Sequence, residues 1–135
     1  MVMGKKEDGK THIIASESSA LSAIGAKLER DVTPGELIKL SKNGVETEMF
    51  STDTSRAHCS FEFTYFAHPS SKMEGSNIYV ARKNIGRFLA KKFPFKEADL
   101  VIPVPDSARP AALGYAQELG IPFDEGLLKD RYSKK

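Results

Sequence analysis

The sequence predicts an α/β fold with an α+β first part, and three observations carry that reading. Residues 36–40 and 45–50 alternate about Asn43-Gly44, apolar residues between 77 and 91 recur at three and four, and the apolar run 100–104 leads straight into a second helical pattern.

The chain opens on a polar stretch containing Lys5, Lys6, Glu7, Asp8 and Lys10. His12-Ile13-Ile14-Ala15 is an apolar run of strand length, and the serines of Ser16-Glu17-Ser18-Ser19 suit a helix N-cap. Ala20, Leu21 and Ile24 follow at helical spacing, and Gly25 offers a stop. After the Pro34-Gly35 turn, Asn43-Gly44 tolerates the positive φ angles of a type I′ turn, so a hairpin with one buried face is expected. Polar residues 51–56 read as a linker.

Ser60-Phe61-Glu62-Phe63-Thr64-Tyr65-Phe66 is aromatic with period two and predicts a strand ending before Pro69. Ile78, Ala81, Ile85, Phe88 and Leu89 place an apolar stripe on a helix from about 77 to 91, with Lys83, Arg87 and Lys91 on its wet side. The run 100–104 has the pattern of a strand buried on both faces of a parallel sheet. Ser107 is placed to cap the next helix, Pro110 falls in its first turn, and Gly120 ends it. Ile121-Pro122-Phe123 begins a further strand, which gives the second half the order α-β-α-β, the opening of an open parallel sheet.

Composition narrows the function. A formal net charge of +2 over 135 residues is too small to predict nucleic acid or an acidic membrane as partner. No stretch reaches the apolar length of a membrane helix, so a cytoplasmic location is expected. The single cysteine, Cys59, excludes an internal disulfide or a four-cysteine metal site made from this chain's own residues.

In open parallel sheets, ligands sit beyond the carboxyl ends of the strands, where helix N-termini present N–H groups to anions. Asp106, Ser107 and Arg109 occupy that place. The Ser107 hydroxyl, first-turn backbone donors and the Arg109 cation can together hold a phosphate or pyrophosphate, and Asp106 can orient a hydroxyl or a hydrated Mg²⁺. A plain helix cap with a dipole-matching carboxylate fits the same spacing, and spacing leaves both open. His58 beside Cys59 similarly fits either an activated thiol or a small buried hydrophobe. His12, His58 and His68 have no metal-ligand spacing. The basic tail of Lys129, Arg131, Lys134 and Lys135 reads as a solvated terminus or a phosphate-facing one.

Three segments in fixed order make the chain resemble the glutamine phosphoribosylpyrophosphate (PRPP) amidotransferase family. Residues 15–26 with Arg30-Asp31-Val32-Thr33-Pro34-Gly35-Glu36 resemble the end of its glutaminase domain, and residues 59–69 resemble its crossing into the phosphoribosyltransferase domain. Val104-Pro105-Asp106-Ser107, followed by Ala111-Ala112-Leu113-Gly114-Tyr115-Ala116 and residues 120–132, resembles the first strand-loop-helix of the transferase. The resemblance implies a partial glutaminase sheet of the N-terminal-nucleophile type over residues 1–55. It implies the first strand-helix units of a parallel transferase sheet over 56–135.

It also implies the conversion of PRPP and glutamine to phosphoribosylamine, pyrophosphate and glutamate, the first step of de novo purine synthesis. By the same resemblance Ser107 belongs to the Mg²⁺-PRPP site, and Cys59 matches an iron–sulfur ligand of members that carry a [4Fe-4S] cluster. Ser19, His68 and Asp130 stand where cysteine, arginine and asparagine are usual. Val2 follows Met1 where the family's glutaminase needs a leading cysteine, and no acidic PRPP loop occurs before Lys135. This chain alone is therefore expected to be inactive, its alternatives being a nucleotide- or PRPP-binding module or one subunit of a split enzyme. Open sheet edges predict a homo-oligomer or a complementing chain.

Overall fold

The computed structural model describes residues 1–130 and Tyr132, so Arg131, Lys134 and Lys135 of the basic tail lie outside the described residues. The chain forms two compact units interleaved in sequence: residues 1–59 with 70–75, and residues 60–69 with those from 76 onward.

The first unit is built on an antiparallel sheet of β1 (Val2–Lys6), β2 (His12–Ala15) and β3 (Ala26–Asp31), in the order β2-β1-β3. Its centre is the segment that reads as a polar start. Only Val2 and Met3 of β1 are clearly apolar, too few to show a period, yet ladder hydrogen bonds depend on backbone and not on side chain. Helix α1 (Ser18–Ala23) lays Leu21 on the sheet, where Val2, Leu21 and Ala26 form the core with Ile13 and Ala15 packed against it. Gly4 makes the room: a Cβ there would lie 2.7 Å from Leu21 Cδ1 and 2.6 Å from the Lys27 carbonyl oxygen. Gly25, at φ 69°, ends α1 as expected.

The expected serine cap of α1 takes a different form. Glu17 stands at the N-cap position without a cap bond from its own side chain, and the partners come from a segment some fifty residues on. Ser71 Oγ accepts from the Ser19 N–H and donates to Glu17 Oε2 at 2.7 Å, while Ser18 Oγ accepts from the Lys72 N–H at 2.7 Å. Ser18 and Ser71 are both buried by this exchange, which is why residues 70–75, including β6 (Lys72–Met73), belong to the first unit.

β4 (Glu36–Ser41) and β5 (Gly44–Met49) form the expected hairpin, with Ser41 opposite Gly44. Lys42 and Asn43 therefore make the turn, and neither has positive φ; Gly44 does, at 120°. The turn is consequently not type I′, and the glycine takes the fourth position, where type I turns favour it. Neither face is buried, with Leu37, Leu40 and Met49 exposed, because two strands alone have no layer to pack on.

The hairpin is tied to β3 by Arg30. Its Nη1 donates to Glu36 Oε2 at 2.8 Å, its Nη2 bonds the other carboxylate oxygen, and the Thr33 N–H adds a third bond. Only 7% of the Glu36 side chain is exposed. The Arg30 hydrogen bond, then the Thr33 N–H, hold the Glu36 carboxyl down from 4.5 to about 2. A carboxylate so depressed adds stability that is complete above about pH 4.5 and is lost as pH falls to about 2. Acid titration of Glu36→Gln by circular dichroism should therefore show lower stability at neutral pH and a shallower loss across that window. Asp8, held down to about 2 chiefly by Thr11, titrates in the same window, so the difference between the two proteins isolates Glu36. An unchanged acid limb would remove the assignment.

In the second unit, short β7 (Ser76–Asn77) precedes α2 (Ile78–Lys92), where Asn77 Oδ1 accepts from the Val80 N–H as a regular N-cap. The helix is the one predicted, but its packed face is turned. Ile78, Arg82, Gly86 and Ala90 are buried, while Ile85, Phe88 and Leu89 of the expected stripe are exposed, Phe88 to 70%. Small residues face inward because α2 crosses α3 (Arg109–Leu119) backbone to backbone: a Cβ on Gly86 would lie 1.8 Å from the Ala111 carbonyl oxygen, and one on Gly114 2.0 Å from that of Lys83. Tyr115 Oη, donating to the Phe93 carbonyl and accepting from the Phe95 N–H, pins the segment that leaves α2.

The aromatic stretch predicted as a strand is a wide helical turn over Glu62–Phe66. Its cause is Arg82, which is 2% exposed and donates to the carbonyls of Phe63, Glu62 and Ala67. A guanidinium buried among converging carbonyls needs a coiled backbone. Phe61, Tyr65 and Phe66 lie exposed on the outside of the turn.

The run 100–104 is likewise not a buried strand. It makes one parallel bridge, Val101 with Phe123, and Leu100, Ile102 and Val104 are exposed. Pro103 and Pro105 remove two ladder donors, and among the described residues only the 122–124 segment pairs with the run. The parallel sense, with α3 as crossover, still agrees with the order read from sequence. The architecture is mixed α/β. Among the described residues no helix is long and apolar enough to cross a membrane.

Candidate functional site

The turn between Pro103 and α3 is fixed at both ends. Pro103 is buried, and Val101 is held by hydrogen bonds from its N–H to Pro122 and to its carbonyl from Asp124. Residues 105–108 turn the chain into the helix, with a cis peptide between Pro105 and Asp106. Ser107 is half-buried and does not cap α3. The helix opens on Ala108 in helical conformation, one residue later than the cap reading placed it, and Pro110 sits in the first turn as expected.

Asp106 and Arg109 are brought together: Arg109 Nη1 donates to Asp106 Oδ1 at 3.2 Å. Its Nη2 donates to Glu125 Oε2 at 2.7 Å, a partner that the sequence reading missed. The missed signal lies in the parallel bridge. Strands paired in parallel bring their carboxyl ends side by side, so the acidic residues just after Phe123 fall next to the loop just after Val104. The Asp124 carboxylate accepts from the Glu125 N–H at 2.7 Å and shapes that end.

Two carboxylates thus face one guanidinium, and the hydrogen bond that Arg109 donates to Glu125 leads the effects that raise the Arg109 pKa, with burial opposing. Arg109 is a permanent cation already shared between partners. Its Nε is buried with no partner among the described residues. Asp106 and Ser107 supply oxygen donors of the kind Mg²⁺ takes, though no group of three or more His, Cys, Asp or Glu among the described residues could hold a metal unaided.

The other candidates lie elsewhere. Cys59 is exposed at the start of the helical turn and pairs with no other cysteine. A [4Fe-4S] cluster needs four thiolates, so this chain's own residues do not fit one. His12 keeps its Nδ1 buried, 3.6 Å from Glu29 Oε2.

No protein-family model matches the chain. Curated proteins do. The chain is 48% identical over 124 residues to the amidophosphoribosyltransferase of Methanothermobacter thermautotrophicus, covering 92% of this chain and 26% of that protein. It is 44% identical to the Bacillus subtilis enzyme of the same name over the same shares. Among solved structures it superposes with TM-score 0.93 and 41% identity on one described as the allosteric regulatory enzyme of purine biosynthesis, covering 99% of this chain and 28% of that one. With glutamine PRPP amidotransferase from B. subtilis, complexed with ADP and GMP, the TM-score is 0.91 at 42% identity. Spanning about a quarter of the length of those relatives, and matching them in sequence and in backbone over nearly all of its own, the chain belongs to the amidophosphoribosyltransferase family.

Proposed function

We propose that this chain supplies the pyrophosphate-binding turn of an amidophosphoribosyltransferase, the enzyme that forms phosphoribosylamine from PRPP and glutamine. In this reading residues 1–55 belong to the glutaminase side and 56–135 to the phosphoribosyltransferase side. One observation carries it: the turn with Asp106, Ser107 and Arg109 lies where a strand-forming run, paired in parallel with Phe123, hands over to a helix. Asp106 and Ser107 would hold Mg²⁺ through oxygen atoms, and the ion would neutralise the diphosphate as it binds. Arg109 and the first-turn N–H groups would meet the phosphate oxygens.

Calorimetric titration with PRPP in the presence of Mg²⁺ tests the reading. Heat is expected from the unaltered chain, and Ser107→Ala should weaken binding by about ten- to a hundred-and-fiftyfold, the value of one lost hydrogen bond to a charged group. Equal affinity of the two proteins would leave Ser107 without a role. ADP and GMP belong in the same titration, since the B. subtilis neighbour is complexed with both.

A further inference from the structure

Arg109 is the only cation among the side chains of the turn, and it is not held out for a ligand. Its shorter bond runs to Glu125, which lies sixteen residues away in sequence and outside the turn. Both groups are more than one-third exposed, so water screens the pair and exchange of one anion for another costs little. A phosphate oxygen can accept from the same guanidinium nitrogen as the carboxylate oxygen of Glu125 does.

We propose that Glu125 is a stand-in anion for Arg109: it holds the guanidinium against the turn while no ligand is bound and gives it up to a phosphate oxygen when a diphosphate arrives. Glu125 is then a positioning residue that tunes affinity by competition, and it touches no ligand itself. The inference rests on the reading of the turn as a pyrophosphate site. Asp106 stays bonded to the other nitrogen, so the cation pivots and does not leave.

The test is titration of the full chain with inorganic pyrophosphate and Mg²⁺ at low salt. Glu125→Gln keeps an acceptor for Arg109 but removes the competing charge, and Glu125→Ala removes both. Each should tighten binding by about three- to fivefold, the value of an exposed ion pair. In an Arg109→Gln background that gain should vanish. A gain that persists there means simple charge repulsion and overturns the exchange, as does unchanged or weaker binding in both Glu125 variants while the unaltered chain binds. Arg109→Gln binding more than about a hundredfold weaker would also overturn it, because a cation that trades one anion for another gains little. If the unaltered chain binds no pyrophosphate, the reading of the turn fails and the inference with it.

Discussion

Replacing Gly86 or Gly114 with alanine should strongly destabilise the helical unit. On most exposed helix positions that change stabilises by about 1 kcal/mol, since alanine favours the helix. Here the added carbon would lie 1.8 Å from the Ala111 carbonyl oxygen, or 2.0 Å from that of Lys83. Backbone atoms of two helices cannot turn aside as a side chain can, so α2 and α3 must part where Gly86 meets Ala111 and Gly114 meets Lys83. A loss of about 3 kcal/mol or more is expected for either variant, at the upper end for overpacking. Urea melts followed by far-ultraviolet circular dichroism give the answer. A stabilised Gly86→Ala protein would mean that the helices do not cross this closely.

Arg82→Met should cost nearly as much, by a different route. The guanidinium bonds the main-chain carbonyls of Glu62, Phe63 and Ala67, and methionine would fill its volume while removing that donor from all three, of which Glu62 keeps the Ala67 N–H. Each unsatisfied carbonyl costs about 1–3 kcal/mol, tempered where water can enter, so a loss of about 3 kcal/mol is expected. Lysine should not rescue it, because a single ammonium cannot reach carbonyls spaced for a planar fork. Near-ultraviolet dichroism offers a second readout, since Tyr65 and Phe66 contact edge to face at 5.3 Å only while the turn keeps its shape. Full rescue by Arg82→Lys would reduce the role of Arg82 to its charge.

These two side-chain contacts also mark where sequence stopped being legible. The existence of α2 could be read from its period, but the inward face was assigned to Ile85, Phe88 and Leu89 along with Ile78 and Ala81, because apolar side chains usually seek the interior, and of the large ones only Ile78 is buried. A close helix crossing reverses that preference, and only the partner helix reveals it. The aromatic segment had a strand's period, and a distant arginine overrode it. β1 carried too little apolar signal to be read at all, yet it is the central strand. At the site, the turn and the parallel order were visible from the apolar run, Pro110 and Gly120. Glu125 was not, because its place depends on which residue of the second segment pairs with Val101.

The cap that Ser71 places on α1 bears on how the polypeptide comes together. A helix of six residues is too short to persist unaided, so when α1 is first synthesised it should fray until Ser71 and Lys72 leave the ribosome some fifty residues later. For the same reason no single proteolytic nick frees the amino-terminal layer intact: cleavage beside Cys59 severs the direct route, and the returning loop still holds the pieces together.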